Sequence, residues 1–478
     1  GDNYSAKDVE DSIIGISERV ANKGYAFAQV TPRGDRDFAN RTINIIYTVD
    51  QGPKTYVDRI EIRGNDKTRD YVIRREFDLA EGDAFNQVMI QKAKRRLEKL
   101  GFFERVEVST VPGDQPDQVV LVVDVVEKST GEFSIGAGYT TGGENQGVNL
   151  EAGITERNFL GRGQFVKVSI GGTTSSRTYN LSFTEPYFLG YRIAAGFDIF
   201  KSNTEYTAYQ VDRNGATVRF GLPITDQLSG QIAYNIVQDE YSVRDQNEDG
   251  VILPPEGLPI YVPDGKWLKS SLSYALTFNN IDDTNDPHYG LFARFNQEYA
   301  GIGGDAEWLK STAKATYYHT LNEEYNWVGL VSGGAGYIHA FGDSSTAASA
   351  SGIRVGDLFK ANDDIVRGFD FNGFGPKIGA DFIGGTTYFN ASAEVQFPMP
   401  AVPESIGIKA ALFADIGTLY GSPFTDATNT EMAWRSSVGA SLIWASPFGP
   451  LRMDYAIPVS KQAGDQTKAF NFGIATKF

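Results

Sequence analysis

The histidines are the first residues to weigh for chemistry, and they lead nowhere. His288, His319 and His339 are the only three in 478 residues, and no two share the i, i+4 spacing that puts a pair of imidazoles on one helical face. Cysteine is absent, which removes a disulfide scaffold, a thiolate zinc site, an iron-sulfur cluster and a cysteine nucleophile. There is no G-x-S-x-G elbow, P-loop or H-E-x-x-H, and Gly373-Phe374-Gly375 with Gly379 misses the dinucleotide-binding spacing. Asp282, Asp283 and Asp286 before Pro287 read as a solvated turn rather than a cation site. The expectation is therefore no catalytic residue, no metal, no cofactor and no enzyme. What is left is ionic: an arginine in an unusual setting, Val366-Arg367-Gly368-Phe369-Asp370, and two carboxylates downstream, Glu394 and Asp415. A planar guanidinium offers such carboxylates a two-pronged donor.

The elements that must hold these residues are long alternating strands. Val148, Leu150, Ala152 and Ile154 share one face, as do Val166, Val168 and Ile170, then Tyr179, Leu181 and Phe183, and later Val438, Ala440, Leu442 and Trp444. Their neighbours are small or polar. Roughly sixteen such segments follow Gly131, most near the 9 to 11 residues that a tilted strand needs to cross a bilayer. Apolar side chains outward and polar ones inward, strand after strand, define a transmembrane antiparallel β-barrel, and a sheet in lipid must close because its edge groups find no water. Trp308, Trp327, Trp434 and Trp444 are expected in an aromatic girdle.

Charge and hydropathy agree with this class. A net charge of −16 argues against nucleic-acid binding, and no apolar run is long enough for a transmembrane helix. The first residues, Gly1-Asp2-Asn3-Tyr4, form no signal peptide.

Residues 1–128 are different in kind: richer in charge, helical in period and internally repeated. Gly82-Asp83-Ala84-Phe85-Asn86, a helix, Leu100-Gly101-Phe102-Phe103 and a strand from Val119 to Val126 echo Gly1-Asp2-Asn3-Tyr4-Ser5, a helix, Lys23-Gly24-Tyr25-Ala26-Phe27 and a strand from Thr42 to Val49. The spacing predicts a helix over 85–100 that buries Phe85, Met89, Ala93, Leu97 and Leu100 and stops at Gly101. Residues 1–53 read as a partial α+β module lacking its leading strand and helix, 54–128 as a complete one, and 129–478 as the barrel.

Two features of the barrel region stand out. Residues from about 341 to 385 form a connection far longer than usual, and it carries Arg367. In the next two strands Phe389, Ala391, Ala393, Val395 and Phe397, then Ile406, Ile408, Ala410 and Leu412, face lipid. Glu394, Phe413, Asp415 and Gly417 therefore face the lumen. Two arrangements satisfy this pattern: Arg367 folds back onto Glu394, Asp415 or both, or the acids line a hydrated pore. The second feature is the closing seam. The first strand turns Phe133, Ile135, Ala137 and Tyr139 outward and Ser134, Gly136 and Gly138 inward, and the last carries Phe470, Phe472, Gly473, Ile474, Thr476 and the terminal Phe478. Glycines weaken pairing, so this seam either opens sideways into lipid or makes room for the packed loop. A crosslink between residues near Gly136 and Gly473 is expected to lock it.

These segments resemble the BamA family, the POTRA-plus-sixteen-stranded-barrel proteins that also include TamA and the two-partner secretion transporters. The resemblance is carried by Gly82-Asp83 and Leu100-Gly101-Phe102-Phe103, Asn158-Phe159-Leu160-Gly161-Arg162-Gly163-Gln164, Phe183-Thr184-Glu185-Pro186-Tyr187, Pro287-His288-Tyr289-Gly290, Val366-Arg367-Gly368-Phe369, Phe413-Ala414-Asp415-Ile416-Gly417 and Ser446-Pro447-Phe448-Gly449-Pro450, and it spans nearly the whole chain. It implies periplasmic POTRA modules, a sixth extracellular loop folded into the lumen and held through Arg367 on Glu394 and Asp415, and a labile seam between strands one and sixteen. Phe478 resembles the aromatic-ended signal of barrel clients, although Thr476 stands where an apolar residue is commoner. About one and a half modules are present where the family's assembly proteins have five, so the chain reads as N-terminally truncated.

The resemblance implies an ATP-independent insertase in the outer membrane of a Gram-negative bacterium. Its expected partners are unfolded outer-membrane barrels as clients, outer-membrane lipids, and accessory Bam lipoproteins at the POTRA-like modules. The rival from another class is a dedicated secretion pore of the TamA or two-partner type. A passive porin explains neither the repeat nor the loop arginine.

Overall fold

The computed structural model describes residues 6–25, 28–37, 42–141, 147–205, 209–243, 265–283, 286–341, 352–400, 402–403, 406–446 and 449–477. They divide into two compact units, residues 1–132 with 156–165, and residues 133–155 with 166–478.

The first unit opens with helix α1 (Ala6–Ala21) and the antiparallel pair β1 (Gln29–Asp37) and β2 (Thr42–Asp50). A fuller module follows: β3 (Tyr56–Arg63), α2 (Asp70–Arg74), α3 (Gln87–Leu100), β4 (Phe103–Pro112) and β5 (Gln118–Glu127), in sheet order β3-β5-β4. Strand β5 lies parallel to β3 and antiparallel to β4. Being the central strand, β5 buries Val119, Val120, Leu121, Val122 and Val123, which explains its unbroken apolar run. Helix α3 begins where Asn86 accepts the Met89 amide (3.1 Å) and ends at Gly101 in the left-handed conformation (φ 73°). Starting at Gln87, it turns Ile90, Ala93 and Leu97 into the core and leaves Met89 exposed. Of the expected stripe Ala93 and Leu97 are thus buried, Leu100 packs against the core and Phe85 is buried ahead of the helix; Met89 faces out, and Ile90 takes its place.

The second unit is a closed barrel of sixteen antiparallel strands. In chain order these are β6 (Gly131–Thr140), β7 (Gly147–Phe159), β8 (Gln164–Gly172), β9 (Ser176–Glu185), β10 (Ala194–Glu205) and β11 (Tyr209–Pro223). Next come β12 (Leu228–Val243), β13 (Gly265–Asn279), β14 (Gly290–Gly304), β15 (Trp308–Asn322) and β16 (Trp327–Ala340). The long loop then carries its own small hairpin, β17 (Lys377–Ile378) with β18 (Asp381–Phe382). The barrel resumes with β19 (Thr387–Pro398), β20 (Ile408–Tyr420), β21 (Arg435–Ser446), β22 (Gly449–Ser460) and β23 (Phe470–Lys477). No described helix is long and apolar enough to cross a membrane; the crossing is made by strands. Phe133, Ile154, Leu272, Leu412 and Ile457 stand exposed on the outer wall while Glu394, Asp415 and Ser441 are buried inside it, the arrangement that alternation requires in lipid.

Inside the barrel the loop builds a core of its own. Ile353, Leu358, Ile378 and Ile383 pack with Trp308, Ile338 and Phe424, and Ile365, Val366, Phe369 and Phe374 pack with Leu419. Trp308 is thus 2% exposed, not part of a girdle. It opens β15 on the same face as Lys310, which points inward. Trp327 and Trp434 are exposed as a girdle requires.

Candidate functional site

The loop returns to the barrel wall at Arg367, and every polar atom of its guanidinium is used. Nε and Nη2 form a fork on Asp415 (2.7 Å each), Nη1 donates to Glu394 Oε2 (2.8 Å), and Nη2 also reaches Ser392 Oγ (3.0 Å). The Arg367 amide adds a bond to Asp415 (3.2 Å). The guanidinium carbon sits 3.4 Å from the centroid of the Phe413 ring, so the cation is stacked as well as bonded. Strands β19 and β20 present these partners because Glu394 faces Phe413, and Ser392 faces Asp415, across their ladder. The Glu394 and Asp415 side chains are 4% and 3% exposed. Burial opposes a charge on Arg367, but Asp415 and then Glu394 outweigh it and hold the guanidinium pKa above its ordinary value.

The neighbours of Arg367 fit it to this position. Val366 is 1% exposed and seals the loop core. Gly368 has φ 92°, a conformation that disfavours a side chain. Phe369 stacks edge-on against Phe374 (5.1 Å). Asp370 does not join the ionic cluster: its carboxylate accepts the Phe371 amide (2.9 Å), and its own amide donates to Gln466 (3.0 Å) in the connection between β22 and β23. At Gly417 a side chain would collide with the loop, since a Cβ there would lie 2.7 Å from Val366 Cγ2 and 2.8 Å from the Ile365 carbonyl.

Two further ionic residues belong to this cluster and were not anticipated. Arg452 on β22 donates through Nη2 to Glu394 Oε2 (2.8 Å) and to Ser441 (3.0 Å), and through Nε to Asp454 (2.9 Å). Alternation contained the signal: Tyr455 and Ile457 face lipid, which turns Arg452 and Asp454 inward. The loop is also held farther along the wall, on β13 and β15, where the Arg354 guanidinium lies 4.3 Å over the Trp267 ring and Lys310 Nζ donates to the Asp357 carbonyl (2.8 Å). Outside the lumen, the Asp282 carboxylate accepts the Tyr289 and His288 amides (3.0 Å each), which hold its pKa below the ordinary value.

At the seam, β6 pairs with β23 among the described residues through 136–140 and 473–477, whereas β11 and β12 pair from Tyr209–Val243 to Pro223–Ser229. Gly473 faces Thr140 and Lys477 faces Gly136, so Gly136 and Gly473 stand four residues apart along the ladder; period-2 alternation fixes a strand's faces but not its slip. Gly138 faces Ala475. Ser134 bonds back to Gly153 (3.4 Å) on β7 and lies outside the seam ladder. Above the ladder Thr141 ties the strands, its hydroxyl donating to Asn471 (2.8 Å) and accepting the Phe472 amide (2.9 Å). The Phe472 and Tyr139 rings meet at 6.2 Å, and Phe470 is exposed. Phe478 lies outside the described residues.

A sixteen-stranded transmembrane barrel, fronted by repeated α+β modules and holding its own loop in its lumen, defines a class of outer-membrane protein whose modules are periplasmic. Residues 158–478 match the Omp85 superfamily domain, and residues 1–52 and 55–128 match the POTRA family, described as a surface antigen variable number repeat. The chain belongs to the Omp85 superfamily. It is 31% identical over 98% of its length to the outer membrane protein assembly factor BamA of Neorickettsia risticii and 26% identical over 97% to that of Neisseria meningitidis serogroup B. It spans about three-fifths of those relatives, 61% and 62%. The crystal structure of BamA from Haemophilus ducreyi lacking POTRA domains 1–3 superimposes with a TM-score of 0.78 at 27% identity, covering 100% of this chain and 95% of that one.

Proposed function

We propose that this chain is the membrane-inserted part of an ATP-independent insertase that folds β-barrel proteins into the outer membrane through the seam between β6 and β23. The observation that carries this reading is the contrast between the two ends of the loop–barrel system. The loop is bound to β19 and β20 by a fully bonded arginine on two buried carboxylates, while the seam ladder runs, among the described residues, over 136–140 and 473–477. The last strand is thus held by a five-pair ladder on each side, to β22 and to β6, and a separated edge at the seam would offer N–H and C=O groups to an incoming client strand. No catalytic chemistry is required. The driving force is the client's own burial of apolar strands and satisfaction of its backbone, with bilayer thinning beside the short seam strands easing entry. Because the loop occupies the lumen, the sideways route is favoured over a secretion route through the pore. Clients would be unfolded outer-membrane barrels, with accessory lipoproteins docking on the POTRA-like modules.

The test is a disulfide between Thr140→Cys and Gly473→Cys in the full-length protein in its own cell, read by heat-modifiable gel mobility of unrelated barrels. Oxidation should stop their assembly and reduction should restore it. Normal assembly with the seam locked would refute lateral opening, and selective loss of one secreted protein would install the secretion reading.

A further inference from the structure

The outer wall of a barrel should be convex, yet across β6 to β13 it holds an apolar concavity of about 750 Å³. Its floor is formed by Ile154, Ile170, Leu181, Ile199, Ala216 and Ile236. Eight strands about 4.8 Å apart make that floor roughly 30 Å wide, enough for several acyl chains side by side.

One rim of the concavity is polar and in register. Tyr179 faces Lys201, Lys201 faces Asn214, Asn214 faces Gln238, and Gln238 faces Leu268, so a single outward row runs across five strands. The side chains of Lys201, Asn214 and Gln238 have no hydrogen-bond or ion-pair partner among the described residues. A second outward row shows how differently such groups behave when they are self-sufficient: Tyr274 donates to Gln297 (3.2 Å), and Gln297 to Ser311 (2.8 Å). Of the acids one tier above Lys201, Asp212 is engaged and Glu240 faces another lysine. Asp212 accepts from Asn203 (2.5 Å) and Gln210 (3.1 Å), and Glu240 stands across from Lys266. Among the described residues Lys201 is thus a cation without a counter-ion, flanked by two side-chain amides without partners, at the edge of an apolar floor.

We infer that this concavity binds a multi-acyl, phosphorylated lipid of the outer leaflet, its chains on the Ile199–Ala216–Ile236 floor and a phosphate on Lys201, Asn214 and Gln238. Lys201 lies toward the end of β10 that leads into an extracellular loop, since β6 leaves the periplasmic modules and every second connection is extracellular. The row therefore meets the leaflet that faces outward. An ammonium and two amide donors match phosphate oxygens, and the charge-assisted bond is the strongest of the set.

The inference does not depend on the insertase reading and is tested by binding alone. The full-length protein in detergent is titrated with bisphosphorylated, hexa-acylated lipid A and followed by native mass spectrometry. A one-to-one adduct is expected. Lys201→Gln and Ala216→Phe, each verified as folded by heat-modifiable mobility, should weaken it by roughly tenfold, and Lys266→Gln should leave it unchanged. Equal binding by wild type and Lys201→Gln would overturn the assignment. So would an equal loss in Lys266→Gln, which would mean diffuse charge, or equal competition by the two-chain phosphatidylglycerol.

Discussion

Arg367 and Arg452 share one oxygen: Glu394 Oε2 accepts from Arg367 Nη1 and from Arg452 Nη2, each at 2.8 Å. One residue comes from the loop and the other from β22, so a single buried carboxylate joins the loop to two parts of the wall. Neither cation is redundant. Arg367 spends its fork on Asp415, and Arg452 turns its remaining donors to Asp454 and Ser441. Replacing Arg367 by Ala leaves Asp415 buried without a cation and Glu394 with Arg452 alone, and breaking a buried pair in this way costs about 3–5 kcal/mol. The loop of Arg367→Ala should become open to protease while the barrel stays heat-modifiable. Normal loop protection in that variant would remove Arg367 from loop anchoring.

Arg367→Lys should fall between the two. An ammonium keeps the charge but cannot serve Asp415 as a fork while also meeting Glu394 and Ser392. Partial protection from protease is expected, at a level above Arg367→Ala. Full protection would mean that charge alone holds the loop.

Arg452→Ala should weaken the same clasp from the other side. Asp454 and Glu394 would then face Arg367 with no second cation, and Arg367 Nη1 already lies 3.7 Å from Asp454. The guanidinium can be drawn toward Asp454 at the expense of Asp415. Loop protection should fall in Arg452→Ala, and the double variant Arg367→Ala/Arg452→Ala should lose less than the sum of the singles, because both act on Glu394. Strict additivity would show that the shared oxygen does not couple them.

Much of this was legible in the chain. Alternation in β19 and β20 turned Glu394 and Asp415 inward, and the setting of Arg367 marked it as something other than a linker residue. The same alternation in β22 contained Arg452 and Asp454, but their inward face was not followed. The Arg354 clamp on Trp267 was not readable, because it pairs an aperiodic loop with a strand distant in sequence. Seam slip was equally hidden, since a one-period pattern is unchanged by moving two strands past each other in even steps. Trp308 erred for a simpler reason: an aromatic at a strand end suits a girdle and an interior equally, and only its parity with Lys310 decides.

Gly417 tests the packing beneath the ions. A methyl group there would press on the Ile365 carbonyl, which is backbone and cannot swing aside, as well as on Val366 Cγ2. Overpacking of this kind costs about 1–3 kcal/mol. Gly417→Ala should raise amide exchange across residues 362–369 while every ionic partner of Arg367 is still present. Unchanged exchange would show that the loop gives way without loss.

The loop should also respond to pH through Asp363. Asp363 is exposed to the lumenal solvent, yet desolvation by the surrounding wall first, and then the nearby Asp454, push its carboxyl up to about 6, with Lys468 and Arg367 pulling it down and Asp364 adding to the rise. Asp363 accepts a hydrogen bond from Asn471 on the last strand, so its state bears on a direct tie between loop and seam. An unperturbed aspartate titrates near 3.9. The folded form therefore holds its proton more tightly than the unfolded form. The stability this contributes is complete below about pH 4 and is lost as pH rises through 6. Protection of the loop should increase between pH 7 and pH 5, measured as protease resistance with an enzyme active across that range. Asp363→Asn, neutral at every pH, should hold the loop at its pH 5 level throughout. If the pH dependence persisted unchanged in Asp363→Asn, another group would be its source.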